Sequence, residues 1–117
     1  MKTNLIASKS LAFAVRIVKF YQHLCSVKKE YVLSKQLLRS GTSIGANVRE
    51  SRNAQSTADF ISKQSIALKE ADESLYWLEL LLLSDIITQD EYQSMYKDAN
   101  ELVALLTTSI KKLKGKL

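Results

Sequence analysis

Not one proline interrupts this chain of 117 residues, and its only glycines are Gly41, Gly45 and Gly115. A β-rich fold needs closely spaced turns, and turns draw on Gly and Pro for backbone angles that other residues avoid. The chain is therefore read as all-α, built from long helices with few, short connections. Hydrophobic residues make up 46% and charged residues 25%. That is enough apolar material for a core and too little charge for a disordered tail or a fibre. With no Pro/Gly/Ser-rich divider, residues 1–117 are expected to form a single domain.

Apolar spacing predicts four helices, over about residues 8–26, 31–53, 57–84 and 88–113. In the first, Leu11, Ala14, Val18, Tyr21 and Cys25 form one row at three- and four-residue steps, and Phe13, Ile17, Phe20 and Leu24 form a second beside it. Together the rows cover roughly 220°, about twice the stripe a helix needs to pack on one core, so something else has to cover the excess. Lys9, Arg16, Lys19 and His23 fill the rest of the arc and read as an exposed basic strip. The second helix has Leu33, Leu37, Ile44 and Val48 as its seam. Gly41 and Gly45 sit one turn apart at the edge of that seam, where small residues admit a neighbouring backbone. The third begins at Ser56 or Thr57 and becomes apolar all round from Tyr76 to Leu83. The fourth opens with a capping box from Thr88 to Glu91. Short connections arrange the four as an antiparallel up-down-up-down bundle.

Catalysis is not expected. A di-metal site in a bundle needs inward carboxylates and Glu-x-x-His pairs, and the one histidine stands in no such spacing. Cys25 and His23 lie two residues apart and point to different sides of one helix, so no nucleophile and base meet there. No metal or cofactor is predicted, and a metal-dependent enzyme is the remote alternative. The first residues, Met-Lys-Thr-Asn-Leu-Ile, lack the pattern of a signal peptide. The longest apolar stretch, Leu80 to Leu83, falls far short of the ~20 residues that span a bilayer. A cytoplasmic protein with no membrane association is expected.

Charge divides the chain. Residues 1–56 carry ten Lys/Arg against only Glu30 and Glu50, residues 57–110 carry Lys63, Lys69 and Lys97 against ten acids, and the tail adds Lys111, Lys112, Lys114 and Lys116. Such asymmetry points either to a polyanion held by the basic half or to basic and acidic faces that meet between subunits. Arg16, Lys19, Lys35, Arg39, Arg49 and Arg52, on the first two helices, are the candidate phosphate contacts. Solubilising charge and intramolecular ion pairs are the competing explanation for them. No exposed aromatics interleave with this stripe, so base stacking is not indicated.

The pattern Arg-Ser-x-x-Ser-Ile-x-Ala-Asn-x-x-Glu over residues 39–50, with Asp59-Phe60-Ile61-Ser62-Lys63, Ala67-Leu68-Lys69-Glu70-Ala71 and Tyr76-Trp77-Leu78 further on, closely resembles the proteins encoded in intervening sequences of 23S ribosomal RNA genes. The resemblance covers nearly the whole chain and implies a bacterial, cytoplasmic four-helix bundle assembled as a homopentamer. It implies no activity, because that family has no settled biochemical function. More distantly the chain resembles the accessory variability proteins of diversity-generating retroelements, which implies RNA or DNA and a reverse transcriptase as partners. Arg39, Ser43, Asn47 and Glu50 match the family pattern and share one polar side of the second helix. A polar network at a helix or subunit contact explains that stripe equally well. The resemblance implies Gly or Ala, as in many members of that family, where this chain has Ser51. The expected function is a nucleic-acid-binding accessory oligomer, with a protein scaffold that binds no nucleic acid as the alternative.

Overall fold

The computed structural model describes residues 2–116, with side chains from residue 5 onward. Within them lie four α-helices and no strand: α1 (Lys2–Ser26), α2 (Leu33–Ser51), α3 (Thr57–Leu83) and α4 (Gln89–Lys114). α1 packs on α2 and α4, and α3 packs on the same two, so α1 lies diagonal to α3 and α2 to α4. Cross-links fix the directions. Gly41 and Gly45 face Ile17 and Ser10, Arg39 and Glu50 reach Glu70 and Lys63 in reverse order, and Arg16 and His23 reach Asp98 and Glu91 in reverse order. The result is an antiparallel four-helix bundle measuring 47 × 21 × 20 Å, two helices wide in each short direction.

The core is built from one row per helix. Ile6, Phe13, Ile17 and Leu24 of α1 are each no more than 1% exposed, and they face Leu37, Ile44 and Val48 of α2. Opposite them stand Ala67, Ala71, Leu78 and Leu81 of α3 and Met95, Ala99, Leu102 and Leu106 of α4. Of the two apolar rows read in α1, only the one containing Phe13 and Ile17 enters the core. Ile6, one heptad before Phe13, extends it, which is why α1 begins well before the expected Ser8. Serines fill the remaining gaps: Ser40 and Ser74 are both buried and lie 2.9 Å apart oxygen to oxygen, joining α2 to α3. Ser51 is also buried and donates to the Val48 carbonyl, so its hydroxyl is satisfied.

The helix ends show where periodicity misleads. α1 and α3 end without a glycine, so Lys29 (φ 58°) and Asp85 (φ 60°) take the left-handed conformation themselves. α3 opens with Ser56 accepting from the Asp59 amide, while the Asp59 carboxylate accepts from Gln55 rather than from the cap residue. α4 has the full reciprocal box between Thr88 and Glu91. α2 starts at Leu33, two residues later than its apolar pattern suggests, because the Glu30 carboxylate accepts the amides of Val32, Leu33 and Ser34 at 3.1, 3.0 and 2.7 Å. Partial burial works against charge on Glu30, but those three donors outweigh it and hold its carboxyl below the usual carboxylate range.

A pH-dependent penalty follows for Glu30→Ala. At neutral pH the loss of this charged cap should cost about 1–2 kcal/mol. Because the folded carboxyl binds its proton less readily than the unfolded one, its contribution is complete above the ordinary range and fades as the pH falls through the folded value. Urea unfolding of both proteins at pH 7 and at decreasing acid pH should show the gap closing. A gap that stays constant would mean that the carboxylate is not the cap.

Candidate nucleic-acid interface

The six candidate cations separate into two groups. Arg16 and Arg39 are already engaged. The Arg16 guanidinium donates to Asp98 at 2.5 Å and to the Ser94 hydroxyl at 2.7 Å, locking α1 to α4. Arg39 bridges Glu70 at 2.9 Å and Glu73 across the α2/α3 seam. Trp77 Nε1 donates to Glu73 at 2.9 Å, and together with Arg39 it holds that carboxyl below its ordinary value. A phosphate approaching either arginine has first to displace a carboxylate. Lys19, Lys35, Arg49 and Arg52 are exposed and make no ion pair among the described residues.

The basic strip read on α1 is largely a helix seam. Lys9 pairs with Glu101 at 3.1 Å and His23 with Glu91 at 2.7 Å, so His23 is not the free surface residue its helix position suggests. The signal for this was present but non-local: Glu91 and Asp98 of α4 repeat the seven-residue step of His23 and Arg16 in reverse, and Glu101, one turn beyond Asp98, reaches Lys9.

Four-helix geometry gathers positive charge at one end of the bundle. α2 ends there with Arg49 and Arg52, and α4 ends there with Lys111, Lys112 and Lys114 in its last turn. Arg52 and Leu113 line the same depression, which ties the two termini together. Arg49, Arg52 and Asn53 surround an adjoining open hollow of about 340 Å³. The acids at this end are already occupied, Glu50 by Lys63 at 3.6 Å and Asp59 by the α3 start. Part of the basic charge offsets the negative poles of α2 and α4. The far end is different: Lys28 pairs there with Glu91 at 3.4 Å, and Asp85 and Asp90 lie in the connection and first turn leading into α4.

The family stripe lies along the α3-facing side of α2. Ser43 Oγ donates to the Arg39 carbonyl at 2.6 Å, Asn47 Nδ2 donates to the Ser43 carbonyl at 2.9 Å, and Arg39 and Glu50 pair with α3. These residues tie α2 to itself and to its neighbour. Along the other seam, a groove of about 370 Å³ between α1 and α2 is lined by Leu11, Ala14, Thr42 and Ala46, with Arg49 and Arg52 at its edge. Among the described residues no group of three or more His, Cys, Asp or Glu side chains is placed to hold a metal ion. No described helix is long and apolar enough to cross a membrane.

Fold and surface together define an antiparallel all-α bundle with a strongly basic end and polar seams. The chain belongs to the 23S rRNA-intervening sequence protein family, whose model matches residues 2–108. A crystal structure of a protein with unknown function from the S23 ribosomal protein family of Bacteroides thetaiotaomicron VPI-5482 is 57% identical. The match covers 95% of this chain and 99% of that one with a TM-score of 0.93. Comparison with curated proteins finds no match.

Proposed function

We propose that this protein is a non-catalytic accessory factor that self-associates and holds nucleic acid by its phosphates at the basic end of the bundle. The observation that carries this reading is the convergence of Arg49 and Arg52 with Lys111, Lys112 and Lys114, with the nearby acids already paired elsewhere. Lysines and arginines that reach phosphates release condensed counterions, which drives binding without reading sequence. Self-association is supported by the half of the α1 apolar surface that the bundle leaves open, and a ring of five by the family resemblance. Repetition round a ring multiplies a weak contact without new chemistry. The protein-scaffold reading draws on the same open surface and is separated from this one by experiment.

Fluorescence anisotropy with structured RNA, single-stranded DNA and duplex DNA at about 50 mM salt tests it. All three are expected to bind with comparable affinity, and Arg49→Glu/Arg52→Glu should weaken binding at least tenfold while leaving the assembly mass unchanged. No binding to any of the three leaves the scaffold reading in possession.

A further inference from the structure

The groove between α1 and α2 and the arginine hollow beside it form one continuous feature. The groove, about 370 Å³, is walled by Ala7, Leu11 and Ala14 of α1 and by Thr42, Gly45 and Ala46 of α2. Where α2 stops, Arg49 and Arg52 line both the groove and the hollow they share with Asn53. The Ser10 backbone lies against Gly45, so in this antiparallel pair the trench runs from Ala14 and Thr42 toward Ala7 and Arg49. From Thr42 to Arg52 it follows α2 for ~15 Å at 1.5 Å per residue.

The floor of the trench offers a polar ligand no donor. Its two hydroxyls are used within their own helices: Ser10 donates to the Ala7 carbonyl at 3.1 Å and Thr42 to the Leu38 carbonyl at 2.7 Å. Gly45 has no side chain, and the alanines present only methyl groups. The edge of a nucleobase would lose its water there without replacement. The arginine end is the opposite. Arg49 and Arg52 are exposed and make no ion pair among the described residues. They stand side by side, three residues apart, because Arg52 keeps helical angles (φ −67°, ψ −19°). Glu50, the one acid on the lining, pairs with Lys63 at 3.6 Å.

We propose that the groove binds a single-chain fatty carboxylate, with its tail along Leu11, Ala14 and Ala46 and its head on Arg49 and Arg52. The body of the ligand has to be apolar and narrow. The volume lies at the small end of the roughly 300–1,000 Å³ of small-molecule sites, and an α-helix, ~10 Å across, would lie on the trench rather than in it. Carbon–carbon bonds of ~1.5 Å laid in a zigzag fit about ten carbons along its length. The head has to be anionic, and two neighbouring guanidinium forks match the two oxygens of a carboxylate. Each methylene taken from water strengthens binding about fourfold, the equivalent of ~0.8 kcal/mol. The proposal goes beyond the nucleic-acid reading and does not rest on it: phosphates need only the arginines, whereas this ligand also needs the trench.

Isothermal titration calorimetry of the full chain with decanoate, hexanoate and decanol, each below the concentration at which it aggregates, tests this. Decanoate is expected to saturate at one per chain and to bind at least tenfold more tightly than either hexanoate, which lacks the tail, or decanol, which lacks the charge. Arg49→Gln/Arg52→Gln should weaken decanoate at least tenfold and leave decanol unchanged. Ala46→Phe, which fills the trench, should remove both. Positions 46, 49 and 52 are exposed, so helix content by circular dichroism should match the wild type. Should a variant lose helix content, the three ligands on the wild type decide: decanoate no tighter than decanol overturns the arginine head site, and decanoate no tighter than hexanoate overturns the tail site. No saturable decanoate binding, equal decanoate affinity in the double-glutamine variant, or unchanged binding in Ala46→Phe overturns the proposal.

Discussion

Leu81→Asp is expected to yield no folded protein, whereas Leu83→Asp, two residues on, should fold as the wild type does. Both leucines belong to the apolar end of α3, and sequence alone does not separate them. In the bundle Leu81 is 0% exposed within the core and Leu83 is 72% exposed. Truncating a buried leucine to alanine already costs about 2–5 kcal/mol. A carboxylate placed there adds the penalty of burying an unpaired charge, which together rivals the about 5–15 kcal/mol that holds such a domain folded. Within a single chain Leu83 has no such burial to lose, and its substitution should change the stability of the monomer fold by about 0.5 kcal/mol or less. Circular dichroism melts of the two purified variants provide the check. A cooperative melt from Leu81→Asp near the wild-type midpoint would contradict the placement of α3.

Gly41→Leu should destabilise the bundle by about 3 kcal/mol or more, from overpacking at the α1/α2 contact. A Cβ built on Gly41 would stand only 2.7–3.0 Å from three carbons of the Ile17 side chain, which is itself fully buried. Gly45 differs, because a Cβ there would meet the Ser10 carbonyl oxygen at 3.4 Å. Gly45→Ala gains about 1 kcal/mol of helix propensity and should leave stability within about 1 kcal/mol of the parent. The Gly41 effect should also be coupled to its neighbour: Ile17→Ala in the same chain should recover part of the loss, giving an interaction energy of about 1 kcal/mol or more in a double-mutant cycle. Additive effects at positions 17 and 41 would mean that the two helices do not meet there.

Much of the architecture was legible because a missing proline and a three- and four-residue apolar rhythm are local signals. The seams of α2 and α4 and the Thr88–Glu91 box are carried by residues within a few positions of one another. The apolar excess of α1 could be read too, since Leu11 and Val18 remain exposed while Phe13 and Ile17 are buried. Features decided by distant residues were not legible. Nothing near Arg16 or Arg39 announces that Asp98 and Glu73 will claim them. Glu30 resembles one more charge in a connection until three α2 amides turn toward it. The basic end escaped notice for the same reason: Arg49 and Lys111 lie far apart in sequence, and only the antiparallel return of α4 brings their helix ends together.

Phosphate binding at that end is tested most directly by the salt dependence of duplex DNA affinity for the wild type beside Arg49→Ala/Arg52→Ala, with assembly mass confirmed for both. The wild-type logarithm of affinity should fall linearly with the logarithm of salt concentration, by roughly 0.9 for each phosphate neutralised. Removing two contacting cations should make that slope shallower by roughly one for each cation, as well as weakening binding at every salt concentration. An affinity that does not change with salt, or a slope identical in the two proteins, would contradict the placement of nucleic acid on Arg49 and Arg52.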